Sequence, residues 1–236
     1  MTGQLELHAT WGPRRDDLDA SADRVARFMR ALAEVDAAFE TLGWADYDDA
    51  ATFRPLTPSR SALRERVLLG RQWTDDNEPR LMEASGFSTE LVDPPVTEDR
   101  IRIWIRCGGY GKGSRNSVHA LLHGWSARAT QQSLLAVVER TMATWDAERA
   151  VVHTGGLHKL FPYVPGKILM GSILWLPVPP RELPELPASV RVEPRGARSS
   201  LVVLTEERFD LETQSHVDVA RRTHAALDRA GLLKVS

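Results

Sequence analysis

The sequence predicts an α+β fold in a single domain, a mostly antiparallel sheet with about three main helices packed mainly on one face. Three observations carry this. Leu18, Ala22, Val25, Met29 and Leu32 recur at helical spacing, as do Leu135, Val138, Met142 and Trp145, and again Val217, Ala220, His224 and Leu227. Ile101, Ile103 and Ile105 alternate with Arg102, Trp104 and Arg106, the period of a half-buried strand. The order of elements is strand, helix, meander, helix, strands, helix, with no internal repeat.

In chain order, residues 4–10 read as a first strand, ending near Trp11, Gly12 and Pro13. Asp16 and Asp17 then sit where an N-cap and a dipole partner belong, ahead of the first helix. Residues 43–62 read as loop, with Gly43, two prolines and the acidic cluster Asp46, Asp48 and Asp49. A short helix is expected over 61–69, with Leu63, Val67 and Leu68 inward, followed by the polar stretch TDDNEPR.

Residues 87–92 and 101–106 are strand candidates, and 117–123 can pair back across the glycine-rich 108–113 segment as a hairpin. The second helix is expected from near Ala129. Val151 and Val152, then 168–176, then 201–204 read as strands. The stretch PVPPRELPELP at 177–187 lacks too many N–H donors for a helix or central strand. It is expected to be a surface connection inside one domain spanning 1–236. The last helix starts near Asp210 or Glu212, and Gly231 is placed to stop it.

The 236 residues are 42% hydrophobic and 26% charged, as expected for a globular protein that can build a core. Thirty basic against thirty-two acidic side chains leave a formal charge of −2, without the basic excess that a generic grip on nucleic acid needs. One cysteine excludes a disulfide framework and any multi-cysteine zinc site. The N-terminal residues carry no basic segment followed by an apolar run, and no stretch approaches the ~20 apolar residues of a membrane span. A cytoplasmic protein with no membrane contact is the expectation.

Tests for chemistry fail one by one. Gly111-Lys112 lacks the upstream glycine of a phosphate loop, and Ser114 stands where a dinucleotide motif needs its third glycine. His119 and His123 are four apart, but Ala120 occupies the glutamate position of a zinc protease motif. No metal, cofactor or catalytic residue is expected. Cys107, with Lys112 and His119, is the one arrangement left for an enzyme of unrecognised type.

Several segments together carry a resemblance. They are Trp11-Gly12-Pro13-Arg14-Arg15 followed by an alanine-rich helix with Arg24 and Phe28, then Gly86-Phe87-Ser88, Cys107-Gly108 with Asn116, and AALDRAGLL at 225–233. In these the chain resembles the immunity protein 52 family, which accompanies bacterial polymorphic toxins. The resemblance implies a non-enzymatic protein that binds and neutralises a cognate toxin, often a nuclease, with no cofactor.

Acidic loops could face the basic groove of such a toxin. The candidate contacts are therefore Asp46, Asp48, Asp49, Asp75, Asp76 and Glu78, with Trp44, Tyr47 and Trp73 beside them as candidate hot spots. An adaptor protein with another partner is the alternative to this reading, alongside the enzyme built on Cys107 and His119.

Overall fold

Residues Leu5–Trp11 form the first strand, β1, and set the two sides of the molecule. Leu5, Leu7, Ala9 and Trp11 are buried, while Glu6, His8 and Thr10 point the other way. The computed structural model describes residues 5–45, 53–72, 80–94, 100–154, 156–162 and 164–234, without the side chains of residues 45 and 158.

After β1 come α1 (Leu18–Ala33), β2 (Gly43–Ala45), β3 (Phe53–Pro55), α2 (Arg60–Leu69), β4 (Phe87–Val92), β5 (Ile101–Cys107) and β6 (Asn116–Leu122). Next are α3 (His123–Ser126), α4 (Gln131–Trp145), β7 (Arg149–Thr154), α5 (Leu157–Leu160) and β8 (Ile173–Leu176). β9 (Arg191–Arg195), β10 (Ser199–Val203) and α6 (Gln214–Arg229) complete the described chain.

Among the described residues ten strands belong to one sheet in the order β3-β2-β4-β5-β6-β1-β7-β8-β10-β9, and every neighbouring pair is antiparallel. The first strand thus lies in the middle, between β6 and β7.

The helices divide between the two faces. The stripe Ala22, Val25, Met29 and Leu32 of α1 packs with Leu63 and Val67 of α2, Trp125 of α3 and Val138, Met142 and Trp145 of α4 against one face. A second core lies on the other face, where Val219, Ala220 and Leu227 of α6 and Leu157 of α5 meet Val151, Leu174, Leu176 and Val202. Helices lie mainly on the first face, as expected; α6 is the long one that does not.

The strands explain why. β8 and the Leu201–Val203 part of β10 are continuous apolar runs, so both of their faces need cover. β1, β5 and β6 alternate, so only one of their faces does.

Local chemistry fixes the element ends. Asp17 caps α1, its carboxylate accepting from the Ala20 N–H at 2.7 Å. Gly231 follows α6 with φ +73°, and the Leu232 N–H reaches the Leu227 carbonyl while the Gly231 N–H reaches that of Asp228, a Schellman stop. The sequence reading of 43–62 as loop is corrected in part: Gly43–Ala45 and Phe53–Pro55 pair with each other at the sheet edge. β9, just beyond the proline-rich 177–187 stretch, is a strand the sequence reading did not assign. It is the opposite edge, where Pro194 is tolerated because a missing N–H need not break a ladder. α6 begins at Gln214, later than expected, because the Asp210 carboxylate is occupied by the Glu212 N–H and the Thr213 hydroxyl in a preceding turn.

Two polar anchors tie the first strand to the rest. Arg14 donates to the Trp145 carbonyl at 2.9 Å and Arg24 to that of Thr144 at 3.2 Å, so both guanidiniums cap the C-terminus of α4. Both also pair with Asp16 and Asp146. Trp11 stacks on Trp145 with centroids 5.2 Å apart, and Phe28 meets the same indole edge-on at 5.8 Å. The buried Asn116 amide donates to the Gly12 and Gly109 carbonyls and accepts from the Gly109 N–H at 2.9 Å, holding the base of the β5–β6 hairpin against the end of β1.

Candidate partner-binding face

The alternation that buries one side of β5, β6 and β1 lifts a different set of residues from the other side. α6 covers that side only beyond β7, so the sheet face from β4 to β1 carries no helix. The register aligns its side chains into rows across the strands. One row runs Glu90, Trp104, His119, His8 and Val151. The row nearer the hairpin tip runs Ser88, Arg106, Ser117, Thr10 and Arg149, and the row on the far side runs Val92, Arg102, Leu121, Glu6 and His153.

Trp104 and His119 are stacked with centroids 5.4 Å apart, and His8 meets His119 edge-on at 5.6 Å. The Arg102 guanidinium lies 4.9 Å from the Trp104 ring centre and also binds Glu90. His119 Nε2 is 3.5 Å from a Glu6 carboxylate oxygen. The hydrogen bond from His119 holds the Glu6 carboxyl below the usual carboxylate range, against the opposing cost of burial. His8 keeps part of its ring in solvent but is crowded by the walls around it. That desolvation, and then the charge of His119, lowers its pKa.

His119, His8, Glu6 and Thr10 line a groove of about 610 Å³, walled on one side by residues 166–169 and at one end by residues 113–115, and Trp104 lies beside it, next to His119 in the register. The carboxylates of this sheet face and of the groove are engaged. Glu6 faces His119, Glu90 holds Arg102, and Glu148 accepts the Gly12 N–H at 3.2 Å. Arg106, Lys112 and Arg115 are exposed, and among the described residues none has an ion-pair or hydrogen-bond partner. Tyr110, at the same hairpin end, is exposed and sits under the Arg15 guanidinium at 5.0 Å.

Most of the sequence-derived site residues lie outside the described residues. Of the nine candidates, only Trp44 is described. It is half-buried, with the Arg54 and Arg66 guanidiniums 5.0 and 4.4 Å from its ring centre. Asp46, Tyr47, Asp48, Asp49, Trp73, Asp75, Asp76 and Glu78 lie outside the described residues.

The Cys107–His119 pairing does not form. Cys107 shares the helix-covered side of β5 with Ile103 and Ile105, whereas His119 rises from the opposite side of the sheet. Burial pushes the Cys107 thiol up to about 12, so it supplies no thiolate at neutral pH. Among the described residues no group of three or more His, Cys, Asp and Glu could hold a metal ion. The aromatic row itself was missed in the sequence. Its one visible signal was Trp104, a large indole on the solvent side of an alternating strand.

The architecture is thus an α+β sheet protein that buries its cysteine, anchors its first strand with arginines and an asparagine, and leaves an aromatic, charged sheet face open. The chain belongs to the immunity protein 52 family, whose profile matches residues 7–236. No curated protein matches it. Among solved structures it is similar to the Pseudomonas aeruginosa T6SS protein PA0821, with a TM-score of 0.54 and 11% identity over 95% of this chain and 73% of that chain. At that identity the likeness is one of fold. No helix among the described residues is long and apolar enough to cross a membrane.

Proposed function

We propose that this protein protects its producing cell by binding a cognate toxin in the cytoplasm and neutralising it through association rather than catalysis. Membership of the immunity protein 52 family along nearly the whole chain carries this reading. The residues behind the resemblance support it in kind. Trp11, Arg14, Arg24, Phe28 and Asn116 hold α4 and the β5–β6 hairpin in place. They are scaffold residues, as an inhibitor needs, and they build no acid–base pair.

The finer reading is that the toxin is a nuclease whose nucleic-acid groove is basic, with Asp46, Asp48, Asp49, Asp75, Asp76 and Glu78 facing it. Co-expression with the product of the adjacent toxin gene in a sensitive cell tests the function. A co-purifying complex and restored growth are expected; neither complex nor rescue would overturn it. Replacing Asp48, Asp49, Asp75 and Asp76 by Asn tests the nuclease-groove contact. Slower association at low salt is expected, and unchanged kinetics would remove that contact.

A further inference from the structure

The uncovered face carries both a hot-spot row and a surplus of one charge. We propose that it is a toxin-docking surface, and that it receives an acidic segment of the toxin, with an apolar side chain of that segment covering the Trp104–His119 stack. This rests on the toxin-binding reading above and adds to the acidic-loop contact a second, separate surface that takes a toxin segment of the opposite charge.

Charge selects the occupant. The face's carboxylates Glu6, Glu90 and Glu148 already have partners, so an incoming base finds little to bind. The cations at the hairpin end do not: Arg106 and Arg115 are exposed without ion-pair partners among the described residues, and Lys112 stands beside them. Arg106 continues into the hydroxyl-bearing row of Ser117 and Thr10, which offers further hydrogen bonds to carboxylate oxygens. A continuous phosphate backbone fits worse, because Glu6 and Glu148 line the groove, Glu90 stands on the same sheet face and the whole chain is net negative.

Shape and aromatic content agree. A concave groove of about 610 Å³ admits a protruding loop or strand rather than a flat surface. Beside the groove, half-buried Trp104 is stacked with His119 and has the Arg102 guanidinium 4.9 Å from its ring centre, an ordered aromatic of the kind that dominates binding energy.

The test uses the full chain, the product of the adjacent toxin gene, and calorimetric and stopped-flow binding. The variants are Arg106→Glu with Arg115→Glu, Trp104→Thr, and Arg27→Glu on the exposed side of α1 as control, each with its thermal unfolding recorded. Tenfold or greater loss of affinity is expected for the double charge reversal, chiefly through slower association that converges with wild type at high salt. A similar loss through faster dissociation is expected for Trp104→Thr, with no change for Arg27→Glu.

Wild-type-like binding by the folded variants overturns the docking surface while leaving the toxin-binding function standing. Absence of any complex with wild type overturns both. A 20-nucleotide single-stranded RNA or DNA that binds wild type, and loses binding in the charge reversal, overturns the acidic-segment assignment in favour of a nucleic-acid surface.

Discussion

Trp104 of β5 and His119 of β6 lie directly across from each other in the strand register and stack with centroids 5.4 Å apart on the face that no helix covers. A cross-strand pair of this kind contributes about 0.2–1 kcal/mol to the sheet. Trp104→Thr retains a strand-favouring residue and touches neither core. Its unfolding free energy in urea is therefore expected to fall by no more than about 1 kcal/mol. A loss of several kcal/mol would mean that the indole is structural rather than available for recognition.

Asn116 is a different case. Its amide is buried and satisfies both polar groups of Gly109 as well as the Gly12 carbonyl. Asn116→Ala leaves those groups without their partner and is expected to cost about 3 kcal/mol in urea unfolding. Stability within about 0.5 kcal/mol of wild type would show that the hairpin base holds without it.

Arg14 and Arg24 share two acceptors, Asp16 and Asp146, and cap adjacent carbonyls of α4. Each single alanine variant is expected to lose about 1 kcal/mol, with Asp146 contributing little because it is well exposed. The double variant should not lose the simple sum, since the two share a network. Strict additivity in a double-mutant cycle would argue that the two arginines act independently.

Cys107 is buried, with its thiol pushed up to about 12. Iodoacetamide is expected to label it only as fast as the protein unfolds, so urea accelerates labelling in step with the loss of structure. Cys107→Ala is expected to cost about 1 kcal/mol and to leave toxin neutralisation intact. Loss of neutralisation in a folded Cys107→Ala protein would reopen a chemical role for the thiol.

Two histidines make stability depend on mild acid. Burial lowers the pKa of His8 in the groove and of His224, which stacks on Phe161 at 4.5 Å. As pH falls below their ordinary value of 6.5, the unfolded chain takes up these protons before the folded one does. Their contribution is therefore fully present above about pH 6.5 and declines as pH falls from there through the folded-state values. Glu6 and Asp228 have lowered pKa values and add acid sensitivity only below the usual carboxylate range. The melting temperature should drop between pH 6.5 and 5, and the His8→Gln, His224→Gln double variant should flatten that slope. An unchanged slope would place the proton uptake elsewhere.

Much of the fold was readable because period and burial coincide. The stripe from Leu18 to Leu32 and the alternation of Ile101, Ile103 and Ile105 each point to the face that is in fact buried. The continuous apolar runs of β8 and β10 carried a further signal, that a helix must lie on the opposite side as well. What sequence could not supply is the order of strands. Leu5–Trp11 pairs with segments more than a hundred residues away, and nothing local in it specifies β6 and β7 as neighbours. The open face was hidden for the same reason. Trp104 alone gave a sign, His119 and His8 gave none, and only register makes them a row; a slip of one residue would send His119 into the core. Six of the nine sequence-derived contacts rested on charge clustering and three on aromatics beside it, which marks a polar loop without saying what it meets.

The alternation of β1, β5 and β6 separates two kinds of evolutionary constraint. Inward positions such as Ile103, Val118 and Leu7 answer to packing, where a methylene more or less is felt. Outward positions such as Trp104, Arg106, Ser117 and His119 are free of that packing and answer to whatever meets this side of the sheet. Specificity can then diverge by single changes on the outward set while the scaffold stays as it is. A lineage can exchange one adversary for another without first surviving a misfolded intermediate.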